Sequence, residues 1–572
     1  MMKRSGRLRR KKYHSRVPSA GIGLFVGRAP TALAAAALFS IFLLTASRST
    51  LWDRDEPRFG EAAAEMAESG NYLFPTFNGR LRPDKPILTY WLMSASIRLF
   101  GRNEVAVRLW SCLASAGSAL AAAAMARALF ASRDGLWAAM ILCTSPLVML
   151  EAGAATADAL LLLFTALAML AFVRSSAASQ ELAGGAALAG AFALALFTKG
   201  PVGLMPLLSI AATLALAKGE IPSRGRRLRT AFFCALLAAM LFLVWFLPAD
   251  RATIGRFWSE GFGQHVIARS LHPREGHGAA FFAGLPYYVP VILAGFSPWT
   301  LFLPGAVCAV AGGRVGHGRG RAILAGWTLA PLAVFSLVST KLPHYILPIF
   351  PALALAVAGT LEADRRGELT PRDRIWLRRG VWLSGTVSAA EIALLLAGFW
   401  IAPPELRRSA VMLGAIIAAF SAAAITAQLA TRFRRAAVIA FSGAMTAQLA
   451  AAFWILPALE SQKPVPPVAR KIRAGISGPT PVATFEFAEP SLDFYLGLPP
   501  IERLAAGDVS RWASSPQPGV LVTTREALLR LPTGERLGLP ILAERRGFNY
   551  SKGRWIDLVA FERGRPSRGA SP

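Results

Sequence analysis

The feature that most restricts this chain is a series of thirteen uncharged or nearly uncharged stretches, at 31–47, 105–126, 135–151, 156–173, 183–198, 201–217, 230–248, 285–310, 322–340, 342–361, 381–402, 410–430 and 436–459. A bilayer core of about 30 Å is crossed by a helix of about 20 apolar residues, with ~17 as a working minimum. Lipid offers no partner to a backbone N–H or C=O, so such stretches are expected to be helices. Composition agrees: 54% of the 572 residues are apolar and 17% are charged, where a soluble protein carries about a quarter charged residues. The expected fold is an all-α polytopic membrane protein of about 13 transmembrane helices.

The net charge of +29 would by itself suggest nucleic-acid binding, but its distribution points elsewhere. The arm Met1–Ala29 holds nine basic residues and no acidic one. With that arm in the cytoplasm, the other inside segments are 127–134, 174–182, 218–229, 311–321, 362–380 and 431–435. Together these hold 29 basic against 7 acidic residues, a net +22 of the +29. This is the positive-inside bias of a membrane protein, and no nucleic-acid partner is called for. It places the N-terminus in the cytoplasm and, after thirteen crossings, the C-terminus outside. The first apolar run lacks a convincing cleavage site and follows a long charged arm, so it reads as a span rather than a signal peptide. Cys112, Cys143, Cys234 and Cys308 stand singly in apolar runs, as small buried hydrophobes do. Gly21, Gly23 and Gly27 follow no strand, which excludes a dinucleotide-binding turn.

The organisation expected is a basic cytoplasmic arm (1–29), a membrane domain (30–459) with large outer loops at 51–104 and 249–284, and a small extracytoplasmic α/β domain (460–572). Lys463–Pro467 reads as a stiff linker. Strands are expected at Val482–Phe487, Gly519–Thr523 and Trp555–Phe561, with helical stretches near Ser491–Leu496 and Arg525–Leu529.

The first outer loop carries the chemistry. Leu51-Trp52-Asp53-Arg54-Asp55-Glu56-Pro57-Arg58-Phe59 predicts a helix entered just before Pro57 and closed by Gly70, with Asp55 as a candidate cap. Glu61, Glu65 and Glu68 recur on one face, predicting a solvated acidic side of a helix lying along the interface. A second segment, Arg80-Leu81-Arg82-Pro83-Asp84-Lys85-Pro86, adds cations on the outer side, against the topological bias. Cations of this kind suit a phosphate, and a carboxylate among them can accept a proton or orient a hydroxyl. A salt-bridged structural plug is the alternative. Elsewhere, Lys199 reads as a phosphate contact or a snorkelling lysine, Asp158 as a site residue or a helix cap, and Glu391 as an intramembrane carboxylate that needs a partner.

Leu51–Phe59, the block Asp84-Lys85-Pro86…Tyr90-Trp91, Thr198-Lys199-Gly200 and Lys341-Leu342-Pro343-His344-Tyr345-Ile346-Leu347-Pro348 occur in an order that resembles one family. It is that of the bacterial aminoarabinose transferases of lipid A, within the protein O-mannosyltransferase superfamily. The resemblance implies a C-type glycosyltransferase architecture with interfacial helices in the first outer loop, and a polyprenyl-phosphate-linked sugar as donor. It implies Asp55 and Glu56 as catalytic carboxylates, with Lys85, Arg58, Tyr345 and Lys199 at the donor phosphate. Asp158, Asp84, His265, Arg269 and Tyr90 would bind substrate or support the site, and Phe257-Trp258 would belong to a loop over the donor. Gln264 stands where the family commonly has Glu, and His344 where it has a small residue. The implied acceptor is lipid A, another envelope glycolipid or a glycan; a protein acceptor, or transport of a lipid-linked sugar, are the rival readings. The reaction requires no cofactor and no metal. A divalent cation between Asp84 and His265 is chemically feasible, but no ligand spacing demands one. The implied setting is the bacterial inner membrane, among membrane lipids, with the C-terminus periplasmic and the protein a monomer.

Overall fold

The computed structural model describes residues 29–130, 135–175, 181–217, 219–268, 284–400, 403–476, 480–497, 500–531 and 538–564. Each apolar run falls on a helix or a pair of short helices. α1 (Ala29–Ala46) leads into the first outer loop, which holds α2 (Asp55–Ser69), a hairpin of β1 (Thr76–Phe77) and β2 (Arg80–Leu81), and α3 (Leu88–Phe100). α4 (Glu104–Phe130), α5 (Leu136–Cys143), α6 (Pro146–Ala152), α7 (Asp158–Arg174), α8 (Glu181–Lys199), α9 (Met205–Leu216) and α10 (Arg224–Ala252) follow. Among the described residues, eight helical stretches are long and apolar enough to cross a membrane, 182–216 being counted as one, and this is a multi-pass membrane protein.

Two runs expected as single spans are broken, each at a proline. Pro146 opens α6 after Thr144-Ser145, and 285–310 divides into Tyr288–Gly295 and Leu303–Ala311 around Pro298. A proline removes a backbone donor and clashes with the preceding turn, so it is best placed at a helix start. The two breaks meet: Trp299 Nε1 donates to Thr144 Oγ1 at 2.9 Å. Glu391 has its partner here too, accepting from Ser297 Oγ at 3.2 Å.

The C-terminal residues form a mixed five-stranded sheet. β3 (Val482–Phe485), β4 (Glu502–Leu504), β5 (Gly519–Thr524), β6 (Ile541–Asn549) and β7 (Arg554–Arg563) lie in the order β4-β3-β5-β7-β6. β3 is parallel to β4 and β5, and β7 is antiparallel to β5 and β6. Side chains alternate across a strand: Val520 and Val522 join the apolar cluster of the helix Val465–Gly475, while Leu521 joins Trp512 and Leu531 on the other face. The stiff linker expected at 463–467 is instead the entry to that helix, with Pro464 as its cap and Lys463 buried. Prolines in a first turn cost no hydrogen bond, so a proline cluster opens a helix as readily as it stiffens a linker.

α2 also departs from expectation. Its acidic side is covered over Glu61 and Glu65 and solvated only at Glu68: Glu61 is buried and paired with Arg102, and Glu65 accepts from Thr76 Oγ1 at 2.5 Å. Burial pushes the Glu61 carboxyl up to about 8 even with Arg102 beside it. The cover comes from the hairpin and from the distant helix Pro490–Leu496, whose Phe494 packs into the α2–α3 core.

Candidate active site

The segment between α1 and α2 is held from below by one ion pair. Glu56, 4% exposed, receives two bonds from Arg108 of α4, Nε to Oε1 at 2.7 Å and Nη2 to Oε2 at 2.6 Å. The N–H groups of Trp52 (2.8 Å) and Ala155 (2.7 Å) complete its shell. Arg108 also donates to the carbonyls of Ala46, Ser49 and Thr50, closing the end of α1. Burial alone would raise the Glu56 pKa, but the Arg108 charge and these donors outweigh it and hold the group below the usual carboxylate range. Both oxygens of Glu56, expected as a catalytic carboxylate, are engaged by these donors, so it faces inward and anchors the loop.

Asp55 is its opposite. It is exposed, at the first position of α2, and Arg54 occupies the cap position without any side-chain cap bond. The expected cap role is thus not seen. Among the described residues no hydrogen bond or ion pair holds the Asp55 carboxylate, yet its charge reaches Arg82, Tyr90 and His344. Arg58, one turn further along α2, is half-buried.

The second wall is the loop 82–86. Arg82 Nε donates to Tyr90 Oη at 3.1 Å and approaches Asp84 at 3.4 Å. The buried Tyr90 ring stacks on Phe59 of α2 at 5.3 Å, which ties the loop to the helix bearing Asp55. A Cβ at Gly261 would lie 2.6 Å from the Pro83 carbonyl oxygen, so only glycine lets the helical segment Phe257–Ala268 cross this loop so closely. Phe257 anchors that segment among Trp245 and Phe246, while Trp258 is exposed. Pro86 packs near Gly200, where φ of +63° breaks the helix just after Lys199.

That break aims Lys199 at the site. It pairs with Asp158, the first residue of α7, and lies 5.1 Å from the Tyr345 ring centre. His344 stands 4.0 Å from Asp158 and 3.9 Å from Glu151, which accepts from Thr156 Oγ1 at 2.9 Å. The charge of Lys85 acts on both Asp158 and His344. The structure thus gathers Asp55, Lys85, Asp158, Lys199 and Tyr345, with Tyr90 and Asp84 behind them. The backbone of His265 lies in the segment Phe257–Ala268; its side chain, and Arg269 altogether, lie outside the described residues, as does the Asp84–His265 cation arrangement.

Sequence reasoning missed Arg108, Glu151 and His344 as members of the site. Each stood as a charged or titratable residue within or at the edge of an apolar run, which was the available signal. It also missed Asp53, which accepts from both the N–H (2.9 Å) and the Oγ (2.6 Å) of Ser491. Burial pushes its carboxyl up to about 6, against the pull of Ser491. Chemically, the gathered groups present cations for a phosphate and, among the described residues, an unengaged Asp55 carboxylate for an incoming hydroxyl or anion.

Residues 84–249, from Asp84 through Lys199 to the end of α10, match the family described as dolichyl-phosphate-mannose-protein mannosyltransferase. An undecaprenyl phosphate-alpha-4-amino-4-deoxy-L-arabinose arabinosyl transferase of Edwardsiella ictaluri is 33% identical over 54% of this chain, a match that spans 56% of that relative's own length. A protein of the same name from Enterobacter sp. (strain 638) is 31% identical over 68% of this chain and 70% of its own. The crystal structure of ArnT from Cupriavidus metallidurans, bound to undecaprenyl phosphate, superposes with a TM-score of 0.76 over 95% of this chain and 99% of that one. At 19% identity the likeness is one of fold.

Proposed function

The chain belongs to the family of undecaprenyl phosphate-alpha-4-amino-4-deoxy-L-arabinose arabinosyl transferases, and on that premise we propose that it moves an aminopentose from an undecaprenyl phosphate carrier to lipid A. The observation that carries this reading is the exposed, unengaged Asp55 carboxylate set within electrostatic reach of the groups around Lys85 and Lys199. In the proposed step the bond between the sugar's anomeric carbon and the phosphate oxygen breaks. The carrier leaves as a phosphate monoester, and the acceptor oxygen bonds the opposite face of the sugar, which inverts the centre. Lys85, with Arg58, Lys199 and Tyr345, stabilises the charge growing on the departing phosphate, where a low dielectric strengthens each contact. Asp55 deprotonates a hydroxyl acceptor; for a phosphate acceptor, already ionised, it positions only.

The +22 balance of the inside segments supports thirteen crossings of the inner membrane, a cytoplasmic arm (1–29), a membrane domain (30–459), and a periplasmic C-terminal domain (460–572). The site then opens on the periplasmic side.

Lys85→Ala should impair donor use more than folding. A partly exposed lysine contributes little to stability, whereas one charge-assisted contact to phosphate is worth roughly 1.5–3 kcal/mol, about 10- to 100-fold in rate. Transfer at the wild-type rate from a normally inserted variant would remove Lys85 from the phosphate site. The acceptor is tested by mass spectrometry of lipid A and of secreted proteins, with and without the gene. A mass increment of one aminopentose on lipid A is expected; an increment on proteins alone would favour protein glycosylation.

A further inference from the structure

Among the described residues no group bonds the Asp55 side chain, so its position there is inherited from the chain on either side. On the C-terminal side the anchor is Glu56, fixed to Arg108. On the N-terminal side Glu56 and Arg108 also take the Trp52 N–H and the Thr50 carbonyl, but most of the bonds to residues 50–53 come from residues more than 400 positions away. Glu460 accepts from the Thr50 N–H and Oγ1 at 3.0 and 2.7 Å. Lys463 Nζ donates to the carbonyls of Thr50 and Leu51 at 3.0 and 3.3 Å and sits 3.7 Å above the Trp52 ring. Trp52 in turn meets Tyr550 edge-on at 5.2 Å. The Leu51 N–H donates to Tyr495 Oη at 2.6 Å, and that hydroxyl donates onward to Glu104 at 2.9 Å. Asp53 takes both donors of Ser491.

This pattern is more than a docked surface. Residues 50–53 lie outside any helix or strand, so their backbone groups need partners from elsewhere. Besides Glu56 and Arg108, the partners are groups around the C-terminal sheet, directed at one short segment two to five residues before Asp55. The hairpin is joined to the same region, with Asn78 and Ile501 exchanging bonds of 3.0 and 2.6 Å, and Arg102 donating to the Phe494 carbonyl at 2.8 Å.

We infer that Ser491 and Tyr495 are positioning residues of the transfer reaction: through Asp53 and Leu51 they set where the Asp55 carboxylate stands, so the C-terminal region completes the active site. The inference rests on the reading of Asp55 given above. A displacement of about 1 Å at a reacting group can cost about 100-fold in rate, and two hydrogen bonds are enough to permit or prevent one.

The test uses the full-length protein in membranes, comparing Ser491→Ala, Ser491→Thr and Tyr495→Phe with wild type and with Asp55→Asn. Rates are normalised to folded protein, with an undecaprenyl-phosphate-linked aminopentose as donor. Ser491→Ala should lower kcat by about 10- to 100-fold while the donor KM stays within about twofold, because of the phosphate groups only Arg58 shares α2 with Asp55, and Lys85, Lys199 and Tyr345 sit on other elements. Ser491→Thr, which keeps the hydroxyl, should recover most of the loss. Hydrogen exchange at residues 50–56 should quicken in Ser491→Ala and Tyr495→Phe, a readout independent of catalysis. An unchanged kcat per folded molecule in Ser491→Ala, or unchanged exchange, would overturn the inference. If Asp55→Asn itself transfers at the wild-type rate, the reading beneath it fails and no carboxylate remains to be positioned. If Asp55→Asn collapses while Ser491→Ala is normal, only the positioning role fails.

Discussion

Asp55→Asn should abolish nearly all sugar transfer while leaving the protein folded in the membrane. The substitution keeps the size of the side chain and disturbs no bond, since among the described residues none holds this carboxylate. A purely structural role therefore predicts normal activity. A carboxylate that accepts a proton or orients an acceptor is typically worth ~100- to 10,000-fold, and the loss should be of that order. A control must be acidic, exposed and on the same helix; Glu68, at the far end of α2 with 64% of its side chain exposed, meets those conditions. Among the described residues it pairs with Arg102, at 3.2 Å across the surface; Asp53 does not serve, because it is half-buried and lies before the helix. Transfer measured on equal amounts of extracted protein should collapse for Asp55→Asn and persist for Glu68→Gln. Equal, mild effects at both positions would return Asp55 to the surface.

The second large effect is on folding. Arg108→Met removes five bonds, two to Glu56 and three to the carbonyls of residues 46, 49 and 50. What remains is a buried carboxylate without its cation, which costs about 3–5 kcal/mol when one partner of a buried pair is deleted. Total stabilities are commonly about 5–15 kcal/mol, so the loss takes from about a fifth to nearly all of the reserve, and the melting temperature and membrane yield should fall sharply. The double variant Glu56→Met with Arg108→Met removes both charges and should recover part of the loss. Thermal unfolding of detergent-extracted protein and the yield in membranes would show this. An Arg108→Met protein with wild-type yield and melting temperature would mean that the pair does not hold the loop.

Much of this was legible in one dimension. Lipid allows an apolar stretch little besides a helix, so the runs marked the helices. Asp55, Lys85, Lys199, Asp158 and Tyr345 were singled out mainly through the family resemblance that local motifs carry, and the structure brings them near one another. The hairpin was missed, although the Asn78-Gly79 pair, whose φ values are +51° and +70°, is the signal of a two-residue turn joining strands. What could not be read is whatever depends on partners far along the chain. The period of Glu61, Glu65 and Glu68 described a polar face correctly, but not that Arg102 and Phe494 would cover it. Glu56 and Asp53 looked like two more acids beside Asp55. Only Arg108, 52 residues on, and Ser491, 438 residues on, separate the anchors from the free carboxylate.

The most direct measurement of the central claim is transfer by the purified protein from undecaprenyl phosphate carrying an isotopically labelled aminopentose, with lipid A supplied as acceptor. The account predicts that label appears on lipid A, that one unlabelled undecaprenyl phosphate is released for each sugar moved, and that both signals vanish in Asp55→Asn. Label that stays on the carrier, or that crosses a sealed vesicle still attached to it, would contradict the account and identify a transporter instead.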